Sequence, residues 1–375
     1  MNTNLKRFAL ALSLCGGLLA CGGGGYGGGS MTTATPTPAV PLPASVYLAT
    51  SLVADNGATA GYANEAMRTI DPLLVNPWGL AFNPAGFAWL ANNGSNSSTL
   101  YDGNGVAQSL VVRLPDGSSP TGIVFNGSTD FMVSQGGLSG PGSFIFAGEA
   151  GTLAAWSPAV DRTHAFLVVD NGAGGAIYKG LAMASFGGAN YLYASDFHNR
   201  RIDVFDSAFR RVLLAGSFTD PNLPAGYAPF GIQAIGGKLY VSYALQDSAG
   251  EDDLHGPGLG LVDRFDSGGN FEARLVTGGA LNAPWGMALA PAGFGAFSGM
   301  LLVGNFGDGR INAYDPASGA PMGSLARADG QGIVIDGLWA IAFGNGINSQ
   351  PATTLFFTAG PGDEAHGAYG RIDAQ

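Results

Sequence analysis

Pro77-Trp78-Gly79-Leu80-Ala81-Phe82 returns later in the chain as Pro284-Trp285-Gly286-Met287-Ala288-Leu289. Looser copies read Pro120-Thr121-Gly122-Ile123-Val124-Phe125, Tyr178-Lys179-Gly180-Leu181-Ala182-Met183 and Pro229-Phe230-Gly231-Ile232. Trp339-Ala340-Ile341-Ala342-Phe343 makes a sixth. Glycines 79, 122, 180, 231 and 286, with Ala340, are 43 to 58 residues apart. That interval is the length of a propeller blade.

Further short runs follow each copy. Phe87-Ala88-Trp89-Leu90-Ala91-Asn92, Tyr191-Leu192-Tyr193-Ala194-Ser195-Asp196 and Met300-Leu301-Leu302-Val303-Gly304-Asn305 read as second strands. Arg201-Ile202-Asp203-Val204-Phe205-Asp206 and Arg310-Ile311-Asn312-Ala313-Tyr314-Asp315 read as third strands, and Ser109-Leu110-Val111-Val112-Arg113-Leu114 as a fourth. β-Branched and aromatic runs separated by Gly, Asn and Asp turns mark an all-β chain, and four strands per repeat make a blade. No long stretch has helical periodicity. The expectation is a single six-bladed β-propeller over residues 46–375. The sixth repeat has only three strands before Gln375, while Val46-Tyr47-Leu48 through Leu52-Val53 is a strand without a blade. An unpaired edge is a liability, so this N-terminal strand is expected to close the last blade.

Composition agrees. Of 375 residues, 46% are apolar, only 11% are charged, and 62 are glycine, about twice the usual share. The formal charge is −11. Such a field repels polyanions, and no basic patch with interleaved aromatics is present, which excludes nucleic acid as a partner. The same acidity keeps a protein soluble and monomeric.

The first residues read as an address. Lys6 and Arg7 precede a short apolar run from Phe8 to Leu14, and Leu18-Leu19-Ala20-Cys21 resembles a bacterial lipobox. Residues 1–20 are then a lipoprotein signal peptide, with lipid placed on Cys21. Residues 21–45, glycine-rich and then Pro/Thr-rich, form a flexible tether. Gly22 lacks the aspartate that retains lipoproteins in an inner membrane, which favours the outer membrane of the cell envelope. Cys15 and Cys21 are the two cysteines, so the folded part holds no disulfide and no Cys-based metal site.

The Pro-Trp-Gly-Leu-Ala-Phe element, the Asn-ended strand and the Ile-Asp-Val-Phe-Asp strand resemble NHL-repeat propellers. They resemble most a family of uncharacterised bacterial propellers, some with PEP-CTERM sorting tails. That resemblance implies a fold and carries over no catalytic residues.

Strand parity places the ends of the second strands on one face: Asn92, Gln135, Asp196, Tyr243, Asn305 and Ala359. The longest loops follow these positions. One contains Asp247 and ends at His255-Gly256; another contains Asp363 and ends at His366-Gly367; His198 lies beside Asp196. Carboxylates and amides near a channel suit a divalent cation such as Ca²⁺, and carboxylate with imidazole suits acid–base work. Asp and Asn at such positions also serve as plain turn caps. No HExxH zinc motif or P-loop is present. Gly172-Ala173-Gly174-Gly175 reads as a turn, and Ser139 and Ser143 lack a nucleophile elbow. Trp78, Trp285 and Trp339 read as core, packing between blades.

Two functions follow. One is a monomeric binding module that presents its loop-rich face to a protein, glycan or small molecule. The alternative, by fold analogy alone, is a metal-assisted hydrolase or lactonase at the central channel. Cys21→Ser is expected to abolish palmitate incorporation and release the chain from the membrane fraction; labelling and fractionation of expressing cells check this.

Overall fold

The computed structural model describes residues 46–56 and 69–375; the signal-like segment, Cys21 and the tether lie outside them. The described residues form six blade sheets, each built on four antiparallel strands, and one separate two-stranded hairpin. Among them the only helical elements are two short 3-10 turns, and no helix is long and apolar enough to cross a membrane. One of those turns is Gly172–Gly174, ended by Gly175 at φ 71°.

The innermost strands of blades 1 to 6 are Pro77–Phe82, Pro120–Phe125, Tyr178–Phe186, Tyr227–Ile235, Pro284–Leu289 and Leu338–Phe343. Each packs against the innermost strands on either side, and that of blade 6 meets that of blade 1. Second strands such as Ala88–Asn92 are buried along their whole length. Outer strands such as Ala107–Arg113 alternate, one face toward a neighbour and one toward solvent. Large aromatics fill the gaps between sheets; Trp89 of blade 1 stacks on Phe144 of blade 2 with centroids 3.9 Å apart.

The repeated glycine has a specific job. A Cβ at Gly79 would stand 2.5 Å from the Thr121 carbonyl oxygen of blade 2, and one at Gly180 would stand 2.9 Å from that of Phe230 in blade 4. Gly122, Gly231 and Gly286 face the next inner strand in the same way. Main chain therefore touches main chain around the axis. Polar side chains tie the blades at this level: Thr121 Oγ1 donates to the Tyr178 carbonyl at 2.7 Å. At the seam, Thr358 Oγ1 donates to the Trp78 carbonyl at 2.7 Å.

Blade 6 closes as expected. Leu338–Phe343, Leu355–Ala359 and Ala368–Ala374 pair in turn, and Tyr47–Ala54 adds as the fourth, antiparallel strand, with Tyr47 opposite Ala374 and Ala54 opposite Ala368.

Two expectations are corrected. Gln135 does not end a second strand. Met132–Gln135 pairs with Leu138–Pro141 as a separate hairpin, inserted between the first strand of blade 2 and its true second strand, Phe144–Gly148. An insertion after a first strand emerges on the opposite face, so Gln135 is exposed there and Gly148 takes its place. The repeated tryptophans also lie elsewhere than between sheets. The pairing of inner and second strands is irregular at this point, with register shifts between Pro77 and Leu80, Pro284 and Met287, and Leu338 and Ile341, so plain alternation between the two faces of the sheet does not hold there. Trp78, Trp285 and Trp339 join Phe230 and Phe197 in one cluster there.

Gly231→Ala would drive a methyl into the Trp285 carbonyl. It is expected to cost about 1–3 kcal/mol by overpacking, read as a lower urea midpoint with an unchanged m-value.

Candidate functional site at the channel mouth

The residues preceding the repeated glycine, at the end where the second strands finish, are Trp78, Thr121, Lys179, Phe230, Trp285 and Trp339. Aromatic rings close this end of the channel. Trp78 stacks on Trp339 with centroids 3.5 Å apart and Phe306 stacks on Trp339 at 4.0 Å, while Trp285 meets both indoles edge-on. Two indole N–H groups are spoken for: Trp285 Nε1 donates to the Lys179 carbonyl at 2.9 Å, and Trp339 Nε1 to Asn76 Oδ1 at 3.0 Å.

Lys179 is the one ionised side chain in this ring, and it is only 2% exposed. Its ammonium sits 5.2 Å from the centroid of Trp78, a cation–π contact. It donates to Glu149 Oε1 at 2.5 Å and to Asp252 Oδ1 at 3.0 Å. Burial disfavours the charge, but the two carboxylates outweigh it and hold the lysine above its usual range. It stays an ammonium and is no nucleophile.

The partners come from different blades. Glu149 follows the second strand of blade 2 and is oriented by Asn93 of blade 1, whose Nδ2 donates to Oε2 at 2.8 Å. Asp252 hangs from the long loop of blade 4 and is 76% exposed. Glu364, from the last long loop of blade 6, accepts from Asn76 Nδ2 at 2.5 Å. Burial raises its carboxyl above the usual range, and the charges of Glu149, Lys179 and Asp252 act on it. Three carboxylates thus surround one ammonium over an aromatic floor.

The two acidic loops therefore meet at the mouth, but through Asp252 and Glu364 and not through the residues first singled out. Asp247 is a loop cap: its Oδ1 accepts from the Glu251 N–H at 2.9 Å, which lowers its carboxyl below the usual range. Asp363 is exposed, at φ 52°. His255 Nδ1 is 3.7 Å from Asp253 Oδ2, and its ring meets Phe306 edge-on. His366 Nδ1 pairs with Asp55 Oδ2 at 2.9 Å, and exposed His198 touches the Gly250 carbonyl at 3.3 Å.

The polar ring itself turns inward. Asn92 Nδ2 donates to Thr99 Oγ1 at 2.9 Å within its own blade. Asp196 accepts the Asn199 N–H at 3.2 Å and the Asn199 amide at 2.9 Å, and pairs with Arg201 at 3.0 Å. Asn305 Nδ2 donates to the Ala280 carbonyl at 2.8 Å and to Asp308 at 3.0 Å. Tyr243 is buried and hydrogen-bonded to Asp263. These side chains satisfy turns and neighbouring strands. Among the described residues no three His, Cys, Asp or Glu converge as a metal-ligand group, and two of the three carboxylates at the mouth pair with the ammonium.

No family model matches the chain. It is 36% identical over 328 residues to an uncharacterized protein of Acanthamoeba polyphaga mimivirus, covering 84% of this chain and 79% of the viral one. A second uncharacterized protein of the same virus is 37% identical over 284 residues, covering 72% and 74%. The chain belongs to their family. Both relatives are viral, and the likeness to bacterial propellers rests on the repeat pattern alone. Among solved structures, a protein of unknown function from Bacteroides thetaiotaomicron superposes with a TM-score of 0.55 at 9% identity, covering 88% of this chain and 77% of that one. That likeness concerns the fold.

Asp253, beside the mouth, is pushed up to about 6 by burial, against the pull of His255 and Lys179. The folded chain keeps a proton there that the unfolded chain has released, so the group's stabilisation is full below about pH 4 and fades as pH rises through about 6. Relative to the parent, Asp253→Asn is expected to gain stability as pH rises from about 4 to 7, read as a rising urea midpoint of the variant over the parent across that window.

Proposed function

We propose that this chain is a non-catalytic binding propeller whose channel mouth receives a positively charged group of a partner or ligand. The observation that carries this reading is the unequal charge count at the mouth, where Glu149, Asp252 and Glu364 face the single ammonium of Lys179. Glu149 and Glu364 are partly buried beside a low-dielectric aromatic floor, where a carboxylate attracts a cation more strongly than a solvated one does, and exposed Asp252 adds its charge at the rim. The stacked indoles leave an aromatic floor for contact. Lys179, protonated and doubly paired, offers neither a Schiff base nor a general base. The metal-assisted hydrolase reading finds no ligand set among the described residues. The lipid on Cys21 would hold the propeller at the surface of a membrane, where a partner arrives by diffusion.

Spermidine is a suitable probe. Calorimetric titration of the full chain is expected to show saturable binding that weakens with salt. It should weaken at least tenfold in the Asp252→Asn, Glu364→Gln double variant. Binding unchanged in that variant would overturn the reading. EDTA is expected to leave the melting temperature where it was; a drop of several degrees with stoichiometric calcium released would favour the hydrolase instead.

A further inference from the structure

A second cavity, of about 110 Å³, lies on the same face between blades 3 and 4. Arg200 and Arg201 wall it from blade 3, Ser217 to Asp220 from the link between the blades, and Pro229 with Tyr243 from blade 4. Its charges are unevenly matched. Arg201 is held by Asp196 at 3.0 Å and Asp203 at 2.8 Å. Asp220 is paired with Arg274, which also reaches Asp263 at 3.2 Å. Arg200 has no such partner: its Nε donates to Gln246, and among the described residues it pairs with no carboxylate. Its two terminal nitrogens remain as a planar fork at the lip of the cavity. In a chain of formal charge −11, this is an unneutralised cation at a built pocket.

The rest of the wall narrows the ligand. Ser217 and Thr219 place two hydroxyls 3.1 Å from each other. Phe218, Leu223 and the ring of Tyr243 supply apolar surface, because the Tyr243 hydroxyl is engaged by Asp263. Three wall residues, Arg200, Ser217 and Phe218, have φ of 57°, 52° and 51°. The left-handed region is uncommon for such side chains and clusters at ligand clamps. Space for a few heavy atoms is available, given roughly 30 Å³ per water. A guanidinium fork matches a planar carboxylate in a bidentate pair.

We propose that this cavity binds a small organic carboxylate, the anion on the Arg200 fork beside the two hydroxyls and the carbon body against Phe218 and Leu223. Titration calorimetry of the full chain with propionate and with inorganic phosphate tests it. Propionate is expected to bind saturably, one per chain, and more tightly than phosphate. Arg200→Asn, a residue that tolerates positive φ, should weaken it at least tenfold, and Arg200→Lys should also weaken it because the fork is lost. Thr219→Leu fills the cavity from a different side and should give the same loss should Arg200→Asn fail to fold. Absence of saturable propionate binding, retention of it in these variants, or tighter binding of phosphate would overturn the assignment.

Discussion

The structure depends on how closely six strands approach one axis. At that radius there is room for main chain against main chain and for nothing between them, so the position facing the next blade must lack a side chain. Gly79, Gly122, Gly180, Gly231 and Gly286 meet the condition directly. Ala340 is the exception, and there the neighbouring contact is bridged by a hydroxyl: Thr358 Oγ1 accepts from the Ala340 N–H at 3.0 Å and donates to the Trp78 carbonyl at 2.7 Å. Everything outward, from the aromatic packing between sheets to the direction of the loops, takes its position from this inner ring.

Beside the glycine the regular pairing slips, between Pro77 and Leu80, Pro284 and Met287, and Leu338 and Ile341, and the tryptophans that precede it gather in one cluster. Five of the six residues at this position are aromatic or hydroxylic, and the sixth is Lys179. A charge there must be solvated by the protein itself, because removing one partner of a buried ion pair strands the other. Loops of blades 2 and 4 meet this demand with Glu149 and Asp252. The chemistry of the mouth is thus a consequence of one residue in one copy of the repeat.

Much of the fold was legible in the sequence because the glycine requirement recurs at blade spacing and because three strands at the C-terminus left a partner wanted. The inserted hairpin was not, since Met132–Gln135 is a real strand and its composition does not say which sheet it joins. The face that collects long loops was legible; the side chains that matter on it were less so. Asn92, Asp196 and Asn305 end second strands, where exposed donors and acceptors of the adjoining turn claim them first. Lys179 was visible as a lone lysine in a column of aromatics, but only a three-dimensional axis gives that oddity meaning. Asp252 and Glu364 sit in loops whose path no periodicity describes, and so does the arginine-walled cavity beside them.

The last hydrogen bonds of the ring join opposite ends of the chain: the Gln375 N–H donates to the Val46 carbonyl at 2.8 Å, and Tyr47 lies opposite Ala374. Loop closure between residues so far apart is the entropically slowest contact to make. During synthesis, strand 47–54 emerges ahead of all six inner strands and waits for its partner at residues 368–374. Until then both it and the growing edge of the ring carry unpaired main-chain groups, which invite pairing with other chains. The nascent propeller therefore stays an open arc until residues 368–374 have emerged and paired with strand 47–54.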